Sequence, residues 1–231
     1  LKKIQSFARK IRFKLLYEKC NRLKIKNILL GHHSEDLIEN FFLRMIRGSG
    51  LKGLVSLNKK VEINGKNLLR PLLDLKKEDL IFISRYCFDF FIKDPTNQNQ
   101  KFKRIQIRKL ITELKNDGLD ENKILMTIKN LKLSNNLVES YVKNNLRKNT
   151  FFSIKKHKLF INKVFFDQPH EVIFRSLSES IKLIGQKYYH SRGKKLDKII
   201  NDVKTIDSFK RTLGGCIIKK VHQTVILSKE S

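Results

Sequence analysis

The sequence predicts an α/β fold in which a parallel-sheet domain is followed by a helical linker and a small α+β domain. Three observations predict it. A buried-strand run, Asn27-Ile28-Leu29-Leu30-Gly31, lies between two segments whose apolar residues recur at three- or four-residue steps. Helix, strand, helix in that order is how a parallel sheet is built. From residue 151 the pattern changes to short strands around two amphipathic helices.

The elements follow in order. Residues 1–27 read as a basic helix, with Ile4, Phe7, Ile11, Leu15 and Tyr17 at helical spacing. After the strand, Leu37, Ile38, Phe41, Phe42, Met45 and Ile46 give a helix a broad apolar face, with Ser34 as its cap and Gly48 as its stop. Asn64-Gly65 marks a turn before Leu68 to Leu73, residues 76–92 read as a helix and a short strand, and Asp94-Pro95-Thr96-Asn97 is a turn cluster. From Lys101 to about Arg147 the chain reads as basic helix, broken near Asp117-Gly118. Then come a hairpin in Phe151 to Phe165, helices from about Gln168 to Gly185 and Arg192 to Val203, and a terminal hairpin across Leu213 to Leu227. The divisions are 1–115, 116–150 as the helical linker, and 151–231.

Charge bounds the function. Fifty Lys+Arg against 22 Asp+Glu leave a net +28. Lysine outnumbers arginine 37 to 13, which codon drift explains, but drift does not explain why acids are few. A basic surface of this size fits a phosphate-bearing partner, which points to nucleic acid. Cys20, Cys87 and Cys216 are too scattered for a disulfide framework or a zinc knuckle, and a reducing cytoplasm suits them. No apolar run approaches the roughly 20 residues of a membrane span.

The densest chemistry is GHHSEDLIENFFLRMIRGSG, residues 31–50. Ligands of parallel sheets collect beyond the carboxyl ends of the strands, where Gly31, His32 and His33 fall. Asp36 and Glu39 are three residues apart, so a helix places them on one face of its first turn. They complement the helix dipole or form a site with the histidines. A transition metal is the third reading, opposed by the alternation of strand side chains, which sends His32 and His33 to opposite sides. No metal is therefore assigned. Arg47 with the turn Gly48-Ser49-Gly50 either contacts phosphate through guanidinium and backbone N–H groups or caps the helix. Arg104 and Arg108 lie one helical turn apart and either meet phosphate or face solvent. Tyr188, Tyr189 and His190, interleaved with Lys187, Arg192, Lys194 and Lys195, form a basic strip in the last domain.

GHHSEDLIENFFLRMIRGSGLKGL resembles the motif GHHxDDQxETxLLRLxRGSGxxGL of the bacterial tRNA(Ile)-lysidine synthetases, a family of PP-loop enzymes. Ala8-Arg9 with Arg12-Phe13 resembles its ARxxRY helix, Leu69-Arg70-Pro71-Leu72-Leu73 its IRPLL, and Asp94-Pro95-Thr96-Asn97 with Arg104 and Arg108 its DxSN and RNxxR. Thr212-Leu213-Gly214-Gly215-Cys216 resembles a stretch of its alphaproteobacterial members. Glu35, Leu37, Asn40 and Ile105 depart from the usual Asp, Gln, Thr and Asn. The family's SGGxDS phosphate loop is formed by none of the ten glycines, so the expectation is a Rossmann-like PP-loop domain without its first strands, inactive alone.

The resemblance implies a two-step reaction. ATP, with Mg2+, adenylates carbon 2 of the first anticodon cytidine of a CAU-bearing tRNA(Ile), and free L-lysine displaces AMP to leave lysidine, which reads AUA. It implies Asp36, Glu39 and His33 as catalytic residues. It implies substrate contacts from His32, Arg47, Gly48, Ser49, Gly50, Arg104 and Arg108. A cytoplasmic enzyme without a membrane partner is expected, with a homodimer open. A non-catalytic tRNA-binding remnant or another PP-loop tRNA-modifying enzyme is the alternative.

Overall fold

In the computed structural model, residues 2–92, 103–186 and 193–230 are described, with side chains from Phe7 onward. The chain divides into two compact units, Leu1–Leu133 and Ser134–Ser231.

The first unit opens with helix α1, Lys2–Arg22, which leads to strand β1, Asn27–Leu29. Helix α2, Ser34–Met45, follows, then the short α3, Leu51–Leu54. Strands β2, Lys60–Ile63, and β3, Lys66–Leu69, form a hairpin around Asn64 and Gly65, both at positive φ, as a primed turn requires. β3 lies between the other two strands, parallel to β1 in the register Ile28↔Leu68 and antiparallel to β2. The expected parallel sheet is thus mixed, because β2 and β3 are joined too tightly for a crossover.

Two clusters hold this unit. Cys20, Ile28 and Leu68 are buried where α1 covers the sheet. Leu37, Ile38 and Phe42 of α2 pack with Leu73, with Ile107 and Ile111 of α5, Lys103–Asn116, and with Ile124 and Ile128 of α6, Glu121–Asn149. This second cluster matters for function because it presses α5 against the first turns of α2. Helix α4, Lys77–Phe88, ends at Asp89 in the left-handed region. No strand follows in residues 89–92, contrary to expectation, since the left-handed residue turns the chain at that point. The turn cluster Asp94-Pro95-Thr96-Asn97 lies outside the described residues, as do Lys187, Tyr188, Tyr189, His190 and Arg192 of the basic strip.

α6 runs unbroken from the first unit into the second, across most of the stretch read as linker. The second unit is a five-stranded antiparallel sheet in the order β4-β5-β8-β7-β6. Its strands are β4, Thr150–Ser153; β5, Lys158–Ile161; β6, Phe209–Leu213; β7, Cys216–Val221; and β8, Thr224–Lys229. The expected terminal hairpin is a three-stranded meander, since β6 pairs with β7 through the Gly214-Gly215 turn. Helices α7, His170–Gly185, and α8, Gly193–Thr205, cover one face. Ile173, Leu177 and Ile181 pack there with Leu196, Ile200, Leu159, Ile161, Ile218 and Leu227.

Candidate functional site

The site begins where β1 and β3 end side by side. Leu30 N–H donates to the Leu69 carbonyl at 2.8 Å, so Gly31-His32-His33 leaves the sheet beside Arg70. Ser34 N–H then donates to the Leu75 carbonyl at 3.0 Å, tying the start of α2 to the loop after β3.

The N-cap of α2 is His33, one residue before the expected Ser34, which is the first helical residue and is buried. The His33 backbone N–H donates to Asp36 Oδ2 at 3.0 Å, and His33 Nε2 lies 3.5 Å from the same oxygen. Asp36 therefore turns back to the strand end and fixes the approach into the helix, as a residue three positions past a cap does. Glu39 takes another direction. It is 4% exposed, and its Oε1 accepts from Arg108 Nε on α5. The two carboxylates share a helix but hold different partners.

Arg108 responds to this neighbourhood. Burial alone would lower its pKa, but the hydrogen bond and charge of Glu39, backed by Asp36 and Glu35, outweigh that and raise it. Alongside lies a cavity of about 200 Å³ lined by Glu35, Glu39, Arg108, Thr112, Lys115 and Glu121 together with Ile38 and Ile111. Within it Lys115 Nζ meets Glu121 Oε1 at 2.5 Å.

Opposite in sign is the region around His32. Burial lowers the His32 pKa first; Asp36 raises it, and Arg70, Arg9 and Arg104 lower it further. Arg9 is itself lowered by burial and then by Arg104 and Arg12, and Arg70 by burial and then by Arg9. These guanidiniums are thus close enough to lower one another's pKa. Arg70 is 7% exposed, and its Nη1 donates to the Asn58 carbonyl at 2.7 Å. Buried atoms of three residues here have no hydrogen-bond partner among the described residues: His32 Nδ1, Arg70 Nε and Glu39 Oε2. Buried polar atoms are nearly always paired, so each of these is open to a water molecule or a polar ligand.

The other expected residues stand apart. Arg47 is exposed and lines a cavity of about 180 Å³ with Lys103 and Gln106. Gly48, at φ +65°, ends α2, its N–H donating to Met45 O at 2.9 Å while Ser49 N–H donates to Arg44 O at 3.0 Å. Gly50 is the N-cap of α3. The N–H groups of Gly48 and Ser49 are thus engaged in closing the helix. Arg104 is exposed, and its charge reaches Arg9 and His32, whereas Arg108 turns to Glu39. Arg9 and Arg70 were not among the expected contacts. Arg70 had a signal, a lone cation between Leu69 and Pro71 at the end of an apolar strand, where only a partnered arginine is tolerated.

Residues 1–114 match the PP-loop domain family. The chain is 33% identical over 239 aligned positions to the tRNA(Ile)-lysidine synthase of Wolbachia sp. subsp. Brugia malayi. It is 31% identical to that of Wolbachia pipientis wMel and 30% to that of Orientia tsutsugamushi strain Boryong. These alignments cover 98–99% of this chain and 53% of each relative. The chain spans about half the length of the curated relatives it matches. Residues 1–114 are thus similar to the PP-loop domain family, and along nearly its whole length the chain is similar to the tRNA(Ile)-lysidine synthases.

Proposed function

We propose that this chain supplies the lysine-holding and tRNA-holding part of a cytoplasmic tRNA(Ile)-lysidine synthase. The observation that carries the reading is the division of one site into an acidic half, Asp36 and Glu39, and a basic half, Arg9, Arg70 and Arg104 around a neutral-leaning His32. The overall reaction needs both signs. Carbon 2 of the cytidine is activated when its oxygen attacks the α-phosphate of ATP and releases pyrophosphate. The lysine amine then forms the new carbon–nitrogen bond as AMP leaves with that oxygen.

The acidic half suits the cationic amino acid. Glu39, with Oε2 unpartnered, and the carboxylate-lined cavity beside it offer acceptors to an ammonium group. The basic half suits phosphate, since guanidinium forks bind phosphate oxygens well. His32, held toward its neutral form, can take a proton from the attacking amine. His33 is held at the helix cap beside Asp36 and orients that carboxylate. ATP and Mg2+ are the implied cofactors. The sequence contains no SGGxDS loop, so the 231 residues alone are expected to bind lysine and tRNA without releasing pyrophosphate.

The test is calorimetric titration of the chain with L-lysine, with and without CAU-bearing tRNA(Ile). Asp36→Asn and Glu39→Gln each remove a charge-assisted contact of about 1.5–3 kcal/mol. Lysine affinity should fall roughly ten- to a hundred-fold while tRNA affinity stays nearly unchanged. A chain that binds the tRNA but not lysine would be a non-catalytic tRNA-binding remnant instead.

A further inference from the structure

The sheet of the second unit has two faces, and only one is covered by described elements. Leu159, Ile161, Cys216, Ile218, Val225 and Leu227 point into the core under α7 and α8. Long polar side chains of the same parity reach those helices as well. Lys220 Nζ donates to Val203 O at 2.8 Å, Arg211 Nε meets Asp202 Oδ2 at 2.7 Å, and Lys229 Nζ meets Gln186 Oε1 at 3.1 Å. Strand side chains alternate, so the intervening residues belong to the opposite face.

The registers order that face. Phe151 pairs with Phe160, Phe160 with Ile226, Ile226 with Lys219, and Lys219 with Lys210. One cross-strand row therefore runs from two phenylalanines through an isoleucine to two lysines. It crosses about 19 Å, four strand spacings of about 4.8 Å. The next row reads Ser153, Lys158, Ser228, Ile217, Thr212. Neither row holds an acid. Phe151 is 68% exposed, with its ring centroid 6.4 Å from that of Phe160, while Lys158, Lys210 and Lys219 are exposed.

We propose that this open face binds a short run of unpaired nucleotides, with bases on Phe151 and Phe160 and the backbone along Lys219 and Lys210. Charge complementarity selects the class: two rows with lysines and no acid, on a chain of net charge +28, repel a second copy and attract a polyanion. The rings select the form. Unpaired bases expose π-faces that stack on aromatic side chains, whereas a duplex keeps its bases stacked on one another. The proposal rests on the chain meeting RNA and not on lysine transfer, so failure of lysine binding at Glu39 leaves it standing.

The sequence contains no tryptophan, so Phe151→Trp places the only indole of the molecule on this face. Because the position is exposed, the full chain should fold unchanged. Indole emission should be quenched on titration with a single-stranded oligoadenylate of about eight nucleotides, within the usual site size for sheet-borne single-strand binding. A blunt duplex of the same length should leave it unchanged. In that background Phe160→Ala, or Phe160→Leu if the alanine variant does not fold, should weaken oligoadenylate binding about ten-fold. Lys210→Gln and Lys219→Gln should each lower the log-log salt slope by about one. Equal quenching by the duplex, no quenching at all, or emission that depends on protein concentration without RNA would each overturn the proposal, the last by placing a second copy on the face.

Discussion

His32 illustrates how one residue reports on its site. Burial and the arginines around it lower its pKa from the ordinary value near 6.5, against the pull of Asp36. As pH falls, the unfolded chain therefore takes up this proton before the folded chain does, so the stability contributed by neutral His32 is complete above about pH 6.5 and declines below it. Urea midpoints measured between about pH 7.5 and 5 should fall less steeply for His32→Gln than for the parent chain, with the two curves diverging below pH 6.5. Parallel curves would mean that His32 is solvated like a free imidazole. At the same scale, Asp36 and Glu39 show that sharing a helix face does not mean sharing a partner, because one turns to the cap and the other to α5.

Among the elements, α7 and the β6–β7 turn fit most closely. A Cβ on Gly185 would stand 2.2 Å from the Gly214 carbonyl oxygen and 3.1 Å from Cys216 Sγ. Backbone cannot retreat as a flexible side chain does, and Gly214 and Gly215 are already at positive φ in the turn. Gly185→Ala should destabilise the chain by about 2–3 kcal/mol, at the upper end of overpacking costs, read as a lower urea midpoint with an unchanged slope. Thr212-Leu213-Gly214-Gly215-Cys216, quoted for its family resemblance, thus has a packing reason of its own. α1, β1, α2, α7 and α8 were legible in the sequence because periodicity and caps are local. The Glu39–Arg108 pair was not, since 69 residues separate its members and only the packing of α2 on α5 brings them together. The helical spacing of Arg104 and Arg108 reads as phosphate or tRNA ligands or a solvated face. Both lie on one face of α5, but a full turn separates them, so Arg108 meets Glu39 while the charge of Arg104 reaches Arg9 and His32. The meander was read as a hairpin because β6, exposed along Lys210 to Thr212, lacks the apolar alternation of a covered strand.

For the whole molecule the governing quantity is its field. With net charge +28, tRNA affinity should fall steeply with salt, giving a log-log slope of several units if roughly five or more phosphates are neutralised. Filter binding between about 50 and 200 mM salt measures it, and a flat response would return the lysine excess to codon drift. Lysine should behave differently under the proposed role of Glu39. That carboxylate already has a guanidinium against Oε1, so an ammonium arriving at Oε2 joins an ion pair and does not neutralise a bare anion. Added salt weakens the resident pair and the incoming one alike. If both proposed substrates bind, ionic strength becomes a way of taking them apart, the polyanion leaving first while the amino acid stays behind at its counter-ion.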